Sequence, residues 1–200
     1  MFLKICKEQT RKKKEVGGSF MYSFLKKLNN RKNKNEIKKK VKVKWDREYY
    51  SNGQLWYEIP YVKRKKHGTE KWYWQNGQLQ NVRHWTDGQR HGIERSYYES
   101  GQLWHEAFYI NGQAHGTERW YYEDGQLQRE IPYVNGQEHG IKRTYHKNGM
   151  IESETPYVNG QEHGTARWYW SNGQLEAETF YVEGQMQART IYLSNKQLSG

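Results

Sequence analysis

Five histidines, each followed by a glycine, stand at positions 67, 91, 115, 139 and 163. Imidazole is the commonest metal ligand and a frequent general base, so such a row invites a zinc site or proton-transfer chemistry. A second column holds Glu58, Glu106, Glu130, Glu154 and Glu178, which could pair as acid and base. A third set is aromatic: Trp72, Trp74, Tyr98, Trp120, Tyr122, Trp168 and Trp170. Indole and phenol rings are typical anchors of protein interfaces. Cys6 is the lone cysteine and has no local partner that would make it a nucleophile. The chain carries no phosphate-cradling P-loop, no Gly-x-Ser-x-Gly elbow and no dinucleotide fingerprint.

The elements that must position these residues follow from a period. The turn Asn52-Gly53-Gln54-Leu55 returns in variant form around Gly77, Gly101, Gly125, Gly149 and Gly173, at one constant step along the chain. A fixed period of this size marks a repeat array. Within one repeat, residues 115–138, two turn signals occur, Asp124-Gly125 and Asn135-Gly136. Both dipeptides suit a type I′ turn, whose central residues need positive φ. The segments between them are short and rich in Tyr, Trp, Val and Thr, which reads as strand. The sequence therefore predicts an all-β fold: an elongated antiparallel meander of stacked hairpins, about 13 strands over residues 41–198.

A two-residue turn at Asp124-Gly125 sets Arg119 opposite Glu130 and Tyr122 opposite Leu127. The same register gives Arg47–Glu58, Arg95–Glu106, Arg143–Glu154 and Arg167–Glu178, with Lys71–Val82 breaking the series. Opposite charges across an antiparallel pair contribute roughly 0.2–1 kcal/mol each. The spacing of turn glycines alternates between a shorter gap, Gly125 to Gly136, and a longer one, Gly136 to Gly149. The longer gap holds His-Gly, which predicts a bulge there. On this register Trp120, Tyr122, Leu127, Ile131 and Tyr133 form the more apolar face. Thr117, Arg119, Tyr121, Gln128, Glu130 and Pro132 form the other. Trp72, Trp120 and Trp168 recur in every second unit, with Ser96 and Thr144 between them. This rhythm is either the trace of a duplicated two-unit block or a row of aromatic pockets.

The same period argues against metal and acid–base chemistry. Equivalent residues of adjacent repeats lie two strands, about 9.5 Å, apart, whereas zinc needs several nitrogens at about 2.0–2.1 Å. The histidines read as structural and the glutamates as arginine partners. We expect no catalytic residue, no cofactor and no metal.

Charge divides the chain. Residues 1–44 hold 16 basic and 3 acidic residues, a net of +13, and residues 45–200 hold 17 and 19, a net of −2. Residues 1–44 read as a basic, largely disordered arm. Within it Phe20, Phe24, Leu25 and Leu28 fall on one helical stripe with Lys26 and Lys27 beside it. A short basic amphipathic helix of this kind suits an anionic membrane surface. No stretch approaches the length of an apolar transmembrane helix, and Val16–Leu25 makes a poor signal peptide. The acidic balance of the repeats argues against nucleic acid, because the electrostatic footprint is confined to the arm. The single cysteine favours a reducing compartment, so the expected location is cytoplasmic, at the inner face of a membrane if the arm binds lipid.

The recurring Tyr-Val-Asn-Gly-Gln-Glu-His-Gly, with Tyr-Tyr-Glu-Asp-Gly-Gln-Leu, resembles the MORN (membrane occupation and recognition nexus) repeats. It is closer to the variant form common in bacterial proteins, some of them antitoxin-like. The resemblance covers residues 45–198, six units and a partial C-terminal cap. Arg64, Gln187-Ala188 and Lys196 depart from its pattern at the two ends. It implies stacked β-hairpins and a scaffold that binds proteins or lies near membranes. Three functions follow as expectations. The first is a non-enzymatic scaffold binding a protein partner through the seven aromatics named above. The second is a peripheral membrane protein tethered by residues 1–44. The third is an antitoxin-like partner of a toxin.

Overall fold

A computed structural model describes residues 42–192. Every regular element among them is a strand, and 18 strands form one antiparallel sheet. The first units comprise β1 (Lys44–Tyr49), β2 (Leu55–Val62), β3 (Lys65–Lys66), β4 (Gly68–Tyr73), β5 (Leu79–Thr86) and β6 (Gln89–Arg90). The middle units comprise β7 (Gly92–Tyr97), β8 (Leu103–Ile110), β9 (Gln113–Ala114), β10 (Gly116–Tyr121), β11 (Leu127–Val134) and β12 (Gln137–Glu138). The last comprise β13 (Gly140–Tyr145), β14 (Ile151–Val158), β15 (Gln161–Glu162), β16 (Gly164–Tyr169), β17 (Leu175–Val182) and β18 (Gln185–Ile191). Thirteen are long, and the two-residue strands β3, β6, β9, β12 and β15 lead into them. β1 begins at Lys44, one residue before the expected boundary.

Each eight-residue strand pairs with the six-residue strand before it and with the next long strand after it, as in β10–β11 and β11–β13. The Arg–Glu register holds at every predicted position, Arg47↔Glu58, Arg95↔Glu106, Arg119↔Glu130, Arg143↔Glu154 and Arg167↔Glu178, and Lys71↔Val82 stands where the series breaks.

The two turns of a repeat differ. Asn135 (φ 51°) and Gly136 (φ 82°) are both left-handed, as a type I′ turn requires. At Asp124-Gly125 the expected type I′ turn is absent, because only Gly125 is left-handed, at φ 87°. The Gly125 N–H donates to Tyr122 O at 2.9 Å, and the Tyr122 N–H donates to Gln126 O at 2.8 Å. This three-residue loop, a β-turn followed by a glycine bulge, moves Leu127 opposite Tyr121 instead of Tyr122. A second bulge between Tyr121 and Trp120 then restores the register, so Arg119 still meets Glu130. The Asp124 carboxylate favours this loop by accepting the Gln126 N–H at 2.9 Å.

The His-Gly expectation holds in geometry. Tyr133 pairs with Glu138, but three residues back along the strand Glu130 pairs with Arg143, five residues on. The two extra residues are taken up around His139-Gly140. Gly140 has φ 110°, and a Cβ there would stand 3.0 Å from Pro132 Cγ. Only glycine meets both conditions.

Directly opposed residues share a face. Glu118↔Ile131 and Trp120↔Arg129 define a tryptophan face, and Thr117↔Pro132 and Arg119↔Glu130 define an arginine face. Nearly all of the buried side chains, among them Ile59, Glu70, Asn81, Glu94, Ser96, Ala107 and Ile131, occupy tryptophan-face positions. Two of the five residues expected on this face move. Tyr122 lies in the turn, and Leu127 pairs with Tyr121. Most of the residues that disappear from solvent are small or charged, because long neighbours cover them rather than a second layer.

Hydrogen bonds along both edges tie the repeats together. The Tyr50, Tyr98 and Tyr122 hydroxyls donate to the carbonyls of Tyr73, Tyr121 and Tyr145 at 2.8–3.0 Å, and Trp74 Nε1 donates to Tyr97 O at 3.2 Å. At the other edge Gly88, Gly112, Gly136, Gly160 and Gly184 each donate an N–H to the preceding unit at 2.8–2.9 Å.

Candidate functional site

The seven aromatics named from the sequence divide into two groups. Trp72, Trp120 and Trp168 project from the tryptophan face, opposite Asn81, Arg129 and Ala177. Trp74, Tyr98, Tyr122 and Trp170 form the first-turn column, and three of them hold the next repeat's carbonyl by the bonds given above. Those three are therefore structural at their polar tips, a role that residue type alone does not reveal. All seven are half-buried.

The tryptophan face carries most in its first half. Trp56, Tyr57 and Trp72 form a contiguous cluster with ring centroids 4.6–5.9 Å apart. Trp104 stands free of it, with 44% of its surface exposed, and touches Tyr98 at 6.3 Å and His105 at 6.2 Å. Trp56 and Trp104 occupy the extra position created by the bulge after the first turn. That explains why strand alternation alone does not place them.

Between Trp72, Trp74 and Trp104 lies a pocket of about 300 Å³, with Gln80, Asn81, Arg83, Ser96 and Tyr97 as its remaining lining. Its floor is a hydrogen bond from Asn81 Nδ2 to Ser96 Oγ at 2.6 Å. Asn81 is 7% exposed, and among the described residues its Oδ1 has no hydrogen-bond partner.

Arg83 connects the pocket to an ionic chain whose two carboxylates are buried. Its Nε donates to Glu94 at 2.9 Å and its Nη1 lies 3.4 Å from Glu70. Glu70 is fully buried and also accepts from Lys66 Nζ at 2.7 Å and Trp72 Nε1 at 2.6 Å. Arg90 closes the chain at 3.3 Å from Glu94. Burial opposes ionisation of Glu70, but the bonds from Lys66 and Trp72 and the charges of Lys66 and Arg83 together outweigh it. They hold its carboxyl below the usual range. Further along, His105 Nε2 meets Glu118 Oε1 at 2.5 Å, and Arg129 stacks on Trp120, 3.9 Å from the ring centre.

The arginine face is a ladder of ion pairs, from 2.7 Å at Arg95–Glu106 to 3.7 Å at Arg119–Glu130, and Arg143 also reaches Glu130 at 3.4 Å. Tyr145 is pushed up to about 12 by burial, helped by its hydrogen bond to Glu130. Tyr133 and Tyr157 are pushed up to about 12 by burial, reinforced by the charges of Glu118 and Glu162.

Three of the five His-Gly histidines reach the following unit. His67, His139 and His163 each accept, through Nδ1, the backbone N–H of Asp87, Asn159 or Glu183 at 3.3–3.5 Å. Among the described residues no three His, Cys, Asp or Glu side chains converge on one point. Phe20, Phe24, Leu25, Lys26, Lys27 and Leu28, together with Asn195-Lys196-Gln197-Leu198, lie outside the described residues.

The family model of the MORN repeat variant matches this chain over residues 47–63, 66–87, 90–111, 114–135, 138–159 and 162–183. These six consecutive segments cover more than half of the chain. Among curated proteins no match to the chain is found.

Proposed function

We propose that this chain, which belongs to the MORN repeat variant family, is a scaffold whose tryptophan face takes a protein partner. The family is one of non-enzymatic repeats associated with protein- and membrane-binding scaffolds. The observation that carries the reading is the open pocket at Ser96. It sets three indoles around a buried carboxamide that the fold leaves half-satisfied. Interface hot spots combine such aromatic anchors with a desolvated polar group. Trp72, Trp120 and Trp168 on the face, with Trp74, Tyr98, Tyr122 and Trp170 along its edge, are the proposed contact residues. The test is co-purification from the native host with the full chain and with Trp72→Ala/Trp120→Ala/Trp168→Ala. Loss of partners with an unchanged far-ultraviolet circular dichroism spectrum supports the reading. An unchanged partner set with an unchanged spectrum overturns it.

A second reading, attachment to an anionic membrane, has its own observation. Lys42, Lys44, Lys63 and Arg64 line a cleft of about 380 Å³ beside Asp46 and Tyr61, at the end of the array nearest the basic arm in sequence. Lysines and arginines close to a membrane surface contribute about 1 kcal/mol each. Flotation of the full chain with vesicles containing phosphatidylserine, compared with neutral vesicles, tests it. Equal, negligible binding to both rejects it.

A further inference from the structure

We infer that the Ser96 pocket accepts one tyrosine side chain of the protein partner, an assignment that rests on the scaffold reading above. Three features of the pocket select that chemistry.

The first is emptiness, and the sister position shows what removes it. Two units on, Trp120 takes the place of Trp72, Thr144 that of Ser96 and Arg129 that of Asn81. Arg129 lies over the Trp120 ring at 3.9 Å and covers it. Thr144 Oγ1 and Ser153 Oγ satisfy each other at 2.7 Å, and Glu152 stands where Trp104 stands. At the Ser96 position the shorter Asn81 leaves the space open, and Trp104 supplies a wall. The pocket is therefore built by Asn81, Ser96 and Trp104, at positions that change from unit to unit, and not by the recurring turns and ladder.

The second is polarity. Asn81 Nδ2 donates to Ser96 Oγ, so the Ser96 hydroxyl proton is free to point elsewhere, and Asn81 Oδ1 needs a donor. A group that both donates and accepts satisfies the pair. A phenol hydroxyl does so, whereas an indole N–H only donates and a phenylalanine ring does neither.

The third is charge. Arg83 lines the pocket itself, and the two carboxylates nearest it in the ionic chain, Glu70 and Glu94, are already engaged by it and by Lys66 and Arg90. That disfavours a lysine or arginine guest. A guanidinium next to the cavity favours an aromatic π-face, which a sugar ring lacks. A volume of about 300 Å³ holds one aromatic side chain.

The test uses the full chain, labelled for indole N–H resonances, titrated separately with N-acetyl-L-tyrosinamide, N-acetyl-L-phenylalaninamide, N-acetyl-L-argininamide and methyl β-D-glucoside. Saturable shifts of the Trp72, Trp74 and Trp104 indoles with tyrosinamide, with Trp168 unmoved, are expected. Phenylalaninamide should bind about tenfold more weakly. Ser96→Trp, which installs the residue found at 72, 120 and 168, should abolish the shifts. Trp104→Gln, which copies Gln80 and Gln128, should weaken them severalfold and serves if Ser96→Trp does not fold. Equal binding of phenylalaninamide, preference for argininamide or the glucoside, shifts retained in both variants, or no saturable shift overturns the assignment. If the probes fail but the triple tryptophan variant loses its partners, the pocket assignment falls and the scaffold stands. If tyrosinamide binds as expected and the partner set survives, the pocket is a phenol site, but its assignment to a partner's tyrosine falls with the scaffold reading.

Discussion

Replacing Glu70 by glutamine tests whether the ionic chain on the tryptophan face stabilises the fold or merely occupies it. The substitution keeps shape and keeps an acceptor for Trp72 Nε1, but removes one of two carboxylates serving three cations. Removing one partner of a fully buried pair costs about 3–5 kcal/mol. Here only Glu70 is fully buried; the Lys66 and Arg83 side chains are 29% and 31% exposed and can turn partly to water. Arg83 also keeps Glu94, and Lys66 keeps the Trp85 ring at 4.6 Å. We therefore expect a loss of about 1–3 kcal/mol at neutral pH, roughly 4–8 °C in Tm if it falls near the middle of that range.

The pH dependence separates this from a packing effect. Glu70 is held below the ordinary carboxylate value in the folded chain by its bonds to Lys66 and Trp72. Its contribution is complete above the unfolded value and disappears as pH falls through the folded one. Urea denaturation followed by tryptophan fluorescence at pH 7 and pH 3 should show the penalty at pH 7 and a smaller one at pH 3. A penalty below about 0.5 kcal/mol at pH 7, or one equal at both pH values, would refute the reasoning.

Gly140→Ala should destabilise more than Gly116→Ala, by about 1 kcal/mol or more in urea melts. Both glycines have positive φ, but only at Gly140 does the added Cβ meet Pro132, at 3.0 Å. Stability should fall between about pH 10 and pH 12, since Tyr133, Tyr145 and Tyr157 are raised to about 12 and the unfolded chain releases those protons first. Tyr133→Phe/Tyr145→Phe/Tyr157→Phe should flatten that part of a pH–Tm profile. Tyr98→Phe removes a 2.8 Å bond between repeats and should cost about 0.5–1.5 kcal/mol, measured by thermal melting. A Tyr98→Phe variant as stable as the parent would show that this edge column is not a stabilising tie.

The sheet was legible because its signals are local and recur. Glycines at alternating short and long spacing fix the turns, and Arg and Glu in step fix the register across each hairpin. What was not legible was the first turn. Asp-Gly suits a two-residue type I′ loop, but at Asp124 the carboxylate caps Gln126 and a three-residue loop wins. The error cancelled in the register because a second bulge compensates it. It did not cancel in the facing of Tyr122 and Leu127, nor in the placement of Trp56 and Trp104. Asn81 and Arg83 gave no signal, since they stand at positions that change from unit to unit. One clue existed: Ser96 interrupts the tryptophan series, and an interruption in a row of large side chains leaves space.

That clue points to how such an array can acquire a site without losing its fold. The stabilising ties lie at the edges. Glycines hold the turns, the first-turn aromatics donate to carbonyls of the following unit, and second-turn amides donate to the preceding one. These columns vary little along the chain. The column facing the tryptophan positions, by contrast, reads Tyr57, Asn81, His105, Arg129, Ser153 and Ala177, six residues of six kinds. Tyr57, His105 and Arg129 lie against Trp72 or Trp120, and Asn81 and Ser153 bond hydroxyls of the neighbouring strand, yet no backbone bond depends on them. A substitution there changes what the face presents while the ladder beneath is preserved, as expected of a structure stabilised unit by unit through neighbouring interfaces. Arg129 over Trp120 and Asn81 beside Trp72 are two outcomes of that freedom, one laying a guanidinium across the ring and the other leaving a cavity with an unsatisfied floor.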